Sequence, residues 1–451
     1  MSFELVLVFE PAAESSSCDQ EHEWVDESSS SPAHSLLSSG GKTMAYRYFG
    51  IDIHKAFVVI AAVNDEQEVV QPPRRILMAE LLQWAEQTLK PQDRAVIEAT
   101  TNAWHIYDIL DAHAGEVLVA NPYKTKLIAE ARIKSDKLDA LTLARLLAAR
   151  FICEVWVPVA DIRQRRSLAN HRTTLSRQMS IIKNRVHMLL ARHDLRCPGR
   201  SPFTTEGRVW LQGVALSRME RLELGHLLSQ LDLLATQRAE TDQLIAQLAA
   251  KDDRVSRLMQ MTGIGFFTAF ATLAIIGDIH RFPSPGHLTS YAGLVPSLHQ
   301  SGNRAYTGHI TKAGSSELRW LMVETARSAI RFDPYWQRVS ERIKRRRGAN
   351  IAAVAVARKL LVVIWHLLHN RTTYYHLRPQ SFVRKLQDWA WCIGQESLSA
   401  DTSADFVRQQ LKVIGLPDLA VGLTTNCKGK LIVEEGKGPY PPRTGVAAFS
   451  A

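Results

Sequence analysis

The tightest constraint on this chain is a carboxylate placed where a carboxylate is costly. From Tyr46 to Asn64 the run Tyr-Arg-Tyr-Phe-Gly-Ile-Asp-Ile-His-Lys-Ala-Phe-Val-Val-Ile-Ala-Ala-Val-Asn is rich in β-branched and aromatic residues. That composition predicts two strands joined by a turn near His54–Ala56. Asp52 falls inside the first strand among apolar neighbours, and a charge there needs a partner or a metal. Arg94–Ala99 predicts another strand, with Glu98 at its carboxyl end and a helix from Ala103; Glu116–Asn121 predicts a third, ending at Asn121-Pro122. Strands alternating with helices make an α/β domain, and in open α/β sheets sites gather at the carboxyl ends of strands.

The run Ile133–Leu147, containing Ser135-Asp136-Lys137-Leu138-Asp139-Ala140, predicts a helix with an Ala- and Leu-rich buried side. Asp136 and Asp139 stand one turn apart on one face. By itself such a pair reads as a solvated face or as metal ligands. Asp52 and Glu98, delivered by strands to the same place, favour the second reading, because four converging carboxylates repel unless cations hold them. Hard oxygen ligands select Mg²⁺ or Mn²⁺, and two such ions about 3.5–4 Å apart are the usual clamp for in-line phosphoryl transfer.

With 451 residues the chain has length for more than one core. Its net charge of +10 points to a polyanionic partner, most often nucleic acid, although charge alone also fits an anionic membrane surface. Five cysteines (Cys18, Cys153, Cys197, Cys392, Cys427) lack metal-ligand or disulfide spacing, which suits a reducing cytoplasm. Glu4 and Glu10 bracket the only apolar run near the start, so no secretory signal is expected there. Ile351–His369 is apolar, but Arg358 and Lys359 near its middle favour a buried helix over a membrane span. Residues 1–43, Ser-rich and acidic, read as a disordered extension or the product of an upstream start site.

Val157-Pro158 closes the first domain, and 159–250 reads as a basic helical linker. Arg163, Arg165, Arg166, Arg172, Lys183 and Arg185 accompany a stripe of Leu168, Leu175, Met179, Ile182, Val186 and Leu189, so that one side packs while the other tracks phosphates. Leu224, Leu227, Leu231 and Leu234 then repeat at spacings that an antiparallel hairpin within one chain and a coiled coil between chains satisfy equally. In 251–375, Met261–Phe266 predicts a helix-hairpin-helix-like entry in which Gly263 and Gly265 offer amides to a phosphate. The polar loop Ser297–Gly308 holds Ser301 next to Gly302, with Arg304, Lys312 and Arg319 following, a setting for a hydroxyl attacking a charge-neutralised phosphate. Arg342–Arg347 adds a basic cluster, a further phosphate contact or a solvated charge run. Residues 376–451 read as a variable tail with short helices around Trp389, Trp391 and Val407–Ile414, and a flexible end at Gly436–Arg443.

Taken in order, Phe49-Gly-Ile-Asp52-Ile-His-Lys55, Glu98-Ala-Thr, Ser135-Asp136-Lys-Leu-Asp139-Ala140, Gly263-Ile-Gly265, Tyr291-Ala-Gly-Leu-Val-Pro296, Ser301-Gly302 and Gly308-His-Ile-Thr-Lys312-Ala-Gly314 resemble the DEDD insertion-sequence transposases of the one-ten family, relatives of the pilin-gene invertases. The resemblance runs from residue 44 to about 370. It implies a RuvC-like, ribonuclease-H-type α/β domain at 44–158, a helical or coiled-coil linker, and a mainly α transposase domain at 251–375. It further implies Asp52, Glu98, Asp136 and Asp139 as a tetrad for Mg²⁺ or Mn²⁺, and Ser301 as a nucleophile that joins covalently to DNA. The implied partners are element-end and target DNA, an element-encoded guide RNA, and further copies of the chain as a homo-dimer or tetramer, because acids and serine lie in separate domains. The implied setting is the bacterial cytoplasm at the nucleoid, without a membrane. Gln300 stands where many members carry a second serine, and both termini depart from the compact family pattern. Two alternatives use the same residues: a hydrolytic Holliday-junction nuclease, and a non-catalytic nucleic-acid-binding remnant.

Overall fold

A computed structural model describes residues 46–128, 136–301, 304–394, 402–425 and 430–433. The segment 1–43, Ser135, Gly302, Asn303 and the Gly436–Arg443 stretch lie outside the described residues. The chain divides between Pro158 and Val159 into two compact units.

The first unit runs β1 (Tyr48–Ile53), β2 (Phe57–Val63), β3 (Val69–Leu77), α1 (Leu81–Thr88), β4 (Arg94–Glu98), α2 (Ala103–Asp111), β5 (Glu116–Ala120), α3 (Pro122–Ile128) and α4 (Asp136–Ala148). Its five strands form one sheet in the order β3-β2-β1-β4-β5. β2 is antiparallel to β1 and β3, whereas β4 is parallel to β1 and β5. The expected hairpin turns at 54–56, where the His54 amide donates to Phe57 O at 3.0 Å. β3 has no counterpart among the expected strands, because Pro72 and Pro73 interrupt its sequence. It is an edge strand, the position where a missing N–H need not break a ladder.

Side chains alternate across the sheet. Phe49, Ile51, Ile60 and Ile97 face one core with Leu81 and Trp84 of α1 and Ile106 and Leu110 of α2. Tyr48, Val63, Val96 and Ala120 face the other with Leu143, Ala144 and Leu147 of α4. Gly50 decides how closely α4 can lie. A Cβ at Gly50 would overlap the Ala140 carbonyl and the Ala144 amide, so the helix backbone rests directly on β1.

The second unit is mainly helical. It comprises α5 (Ala160–Ala191), α6 (Thr205–Gly213), α7 (Arg218–Ala249), α8 (Asp253–Met259), α9 (Phe266–Ile276), α10 (Pro285–Tyr291), β6 (Pro296–Ser301), β7 (Arg304–Ile310), α11 (Ser316–Phe332), α12 (Pro334–Arg347), α13 (Ala349–His369), α14 (Pro379–Ile393), α15 (Thr402–Val413), α16 (Pro417–Val421), β8 (Leu423–Thr425) and β9 (Leu431–Val433). α5 and α7 pair within the chain as an antiparallel hairpin. Arg172 meets Asp242 at 2.8 Å and Arg185 meets Glu223 at 3.5 Å, so partner numbers fall as the first rise. Met179, Ile182, Val186 and Leu189 interlock with Leu224, Leu227 and Leu231. α7 starts on a capping box in which Ser217 and Glu220 satisfy each other's end groups.

The unit's main core gathers α8, α9, α11, α13 and α14, with Phe270, Met322, Leu360, Ile364 and Trp389 buried. α13 is, among the described residues, the one helix long and apolar enough to cross a membrane. Val356, Ala357, Leu360, Leu361 and Ile364 bury its inner side in this core. α14, beyond residue 375, packs on this core: Trp389 is fully buried and its indole donates to Ala246 O at 3.0 Å. Lys385, on the same helix, reaches the turn between α8 and α9. Its ammonium donates to the carbonyls of Met259, Met261 (2.8 Å) and Ile264 (3.0 Å). Burial pushes this lysine's pKa down to about 7, while three carbonyl acceptors call for the three N–H groups that only the ammonium carries.

Candidate active site

β1 and β4 run parallel with Ile51 paired to Ile97, so Asp52 and Glu98, each one residue on, emerge side by side at the carboxyl ends of neighbouring strands. α4 crosses β1 at Gly50, and its first turn carries Asp136 and Asp139. The spacing 136, 139, 140, 143, 144, 147 puts both acids on the face that packs on the sheet. A helix N-terminus also favours negative charge, which offsets part of the repulsion between them.

The sharpest cluster is Asp52, His54 and Asp136, whose ligand atoms all lie within 4.8 Å of one another. His54 Nε2 is 2.9 Å from Asp52 Oδ2 and 3.3 Å from Asp136 Oδ2. The imidazole is stacked on Phe57, with ring centroids 4.5 Å apart. An ionised carboxylate only accepts, so a protonated Nε2 donates to it; without that proton the same atom is a metal ligand. Burial raises the Asp52 pKa above the ordinary carboxylate value. His54 opposes the rise, and the charges of Asp139 and Asp136 add to it. Charge repulsion and partial burial are what a bound cation relieves, and a donor set of carboxylates and one imidazole fits a divalent ion. His54 does not stand out in the sequence as a ligand; its one signal is its place two residues beyond Asp52 at the strand's end.

The close helix–strand approach yields a test. Gly50→Ala is expected to cost about 1–3 kcal/mol by overpacking, and to lift Asp136 away from Asp52. Thermal unfolding with and without Mn²⁺ reads both effects, and an unchanged midpoint with an unchanged cation shift would contradict this packing.

In the second unit Ser301 ends β6, paired to Arg304, which is exposed at the start of β7. The hairpin rests on a compact base. Lys312 adopts φ +53° and its amide donates to Gly293 O at 3.2 Å; the Arg319 guanidinium donates to Ala292 O (2.8 Å) and Lys312 O (3.2 Å). Arg319 therefore ties together the two chain segments that carry the hairpin, and Lys312 lies exposed beside it. Gly263 adopts φ +90° against the Thr325 carbonyl, so helix packing already requires glycine there. Gly265 caps α9 and has open space where a Cβ would stand.

The linker arginines divide. Arg165 pairs with Asp161 (2.8 Å) and Asp252 (3.3 Å), Arg172 pairs with Asp242, and Arg166 caps α9 through the carbonyls of Ala274 (2.7 Å) and Ile275 (2.8 Å). These three hold α5 to its neighbours within the unit. Arg163 is half-buried, Lys183 lies 5.5 Å from the centre of the Phe203 ring, and Arg185 is exposed beside Glu223.

Comparison with known proteins covers both units. Residues 49–193 match a family model described as a transposase, the DEDD type of IS110, and residues 255–341 match the model of the IS116/IS110/IS902 transposase family. A putative transposase, y4qE, of Sinorhizobium fredii is 26% identical over 397 residues, 80% of this chain and 93% of that protein. A probable family 20 transposase of Pseudomonas aeruginosa is 31% identical over 261 residues, 54% of this chain and 75% of that protein. A pilin gene-inverting protein of Moraxella lacunata is 28% identical over 288 residues, covering 62% and 81%.

Proposed function

We propose that this chain, which belongs to the IS116/IS110/IS902 family of transposases, cuts and rejoins the DNA of an insertion sequence through the acids of its first unit and Ser301 of its second. The observation that carries the reading is the convergence of Asp52, His54 and Asp136 at the carboxyl edge of the sheet. The strand order, with one antiparallel hairpin beside parallel β1, β4 and β5, supports a RuvC-like, ribonuclease-H-type domain.

Asp52, Glu98, Asp136 and Asp139 would hold Mg²⁺ or Mn²⁺, with His54 at hand as a further ligand. Bound there, a divalent ion supplies Lewis-acid polarisation of a phosphodiester. The Ser301 hydroxyl attacks phosphorus, giving up its proton; the P–O3′ bond breaks, leaving a 3′-hydroxyl and a phosphoseryl link that keeps the ester energy for rejoining. Arg304 and Lys312 neutralise the charge that develops on the phosphate. Amides of the Gly263–Gly265 turn, with Arg163, Lys183 and Arg185, contact the backbone. An element-encoded RNA chooses the sites, and a homo-dimer or tetramer brings acids and serine to one phosphate. The setting is the bacterial cytoplasm, at the nucleoid.

Incubating the protein with Mg²⁺, RNA from the element's flanks and labelled donor and target DNA, then denaturing, tests the reading. A covalent protein–DNA band is expected from wild type and from neither Ser301→Ala nor Asp136→Asn. Cleaved DNA that persists in Ser301→Ala would instead identify a hydrolytic nuclease.

A further inference from the structure

The outer side of α12 carries four exposed arginines, Arg338, Arg342, Arg345 and Arg346, at positions i, i+4, i+7 and i+8. With Gln337 and Glu341 they line one surface hollow of about 680 Å³. The opposite side, through Trp336 and Ser340, is buried. Two exposed arginines elsewhere in this unit are paired with an acid three residues away, Arg327 with Glu324 (2.7 Å) and Arg408 with Asp405 (2.9 Å). On α12 the single acid, Glu341, is taken by Lys344 at 3.4 Å, and none of the four arginines has an acidic partner among the described residues.

Like charges at i, i+4 destabilise a helix. A helix C-terminus attracts cations only within its last turn, so the macrodipole accounts for Arg345 and Arg346 and not for Arg338 and Arg342. From Arg338 to Arg346 the stripe rises about 12 Å, the axial length of three to four phosphates on one strand. Guanidinium forks match phosphate oxygens in pairs. We infer that this face of α12 binds the phosphodiester backbone of duplex DNA, without reading its sequence, as an anchoring surface separate from the reacting groups. The inference rests on the nucleic-acid function proposed above and adds a surface to it.

The test measures binding of the full chain to a labelled duplex DNA of arbitrary sequence and to a labelled RNA hairpin across a series of KCl concentrations. The variant replaces all four arginines by glutamine, which keeps helix propensity, and a second replaces all four by lysine. The slope of log K against log[KCl] is expected to flatten by about 0.9 for each arginine that meets a DNA phosphate. Lysine should restore most of the slope. Flattening on the DNA duplex supports the anchor, whereas flattening on the RNA hairpin alone overturns it in favour of a folded RNA. Tight wild-type binding with unchanged affinity and slope in the glutamine variant overturns the anchor and leaves the transposase reading standing. A wild-type chain that binds neither probe overturns both.

Discussion

Asp52→Asn is expected to lower DNA strand transfer by roughly 10²–10³-fold or more, while raising the thermal midpoint of the metal-free protein at neutral pH. The two effects share a cause. Burial and the neighbouring Asp139 and Asp136 raise the Asp52 pKa, so the folded state holds the proton more tightly than the unfolded chain does. A raised folded pKa gives stability that is complete below the unfolded value and is lost as pH rises through the folded one. At neutral pH the ionised group is therefore a net cost, which asparagine removes. Mn²⁺ should raise the midpoint of wild type and have much less effect on Asp52→Asn. Differential scanning fluorimetry from acid to neutral pH, with and without the ion, measures this. A variant that melts lower than wild type and still responds fully to Mn²⁺ would remove Asp52 from the candidate metal site.

The second large effect separates two tryptophans on one helix. Trp389 is fully buried and hydrogen-bonded to Ala246 O, whereas Trp391, two residues on, is 76% exposed. Trp389→Ala is expected to destabilise the second unit by about 3–5 kcal/mol, and Trp391→Ala to fall within about 0.5 kcal/mol of wild type. Denaturant titration reads the difference directly. Equal, small losses would mean that α14 is dispensable to the core.

The strands were legible because β-branched runs and turn residues agree locally with the fold. Asp52 was legible because a carboxylate in such a run breaks the pattern. β3 was not, since Pro72 and Pro73 read as a break unless the strand's place at the sheet edge is known. The linker arginines show the main limit of composition: a row of positive charge reads as a surface, yet Arg165, Arg166 and Arg172 face Asp252, helix carbonyls and Asp242, partners up to 109 residues away. The likeness to DEDD transposases holds across both units, but its pattern ends at about residue 370. The contribution of α14 to the core lay beyond it.

That contribution bears on when the protein becomes whole. The ammonium of Lys385 ties off three carbonyls of the 259–264 turn from 121 to 126 positions further along the chain. The glycine turn of the transposase region is thus closed by a residue made long after the turn itself. Contacts of such separation form late, since loop-closure entropy must be met first. A nascent chain cut short before α14 has every acid of the first unit and Ser301 of the second, but lacks the pin for its glycine turn.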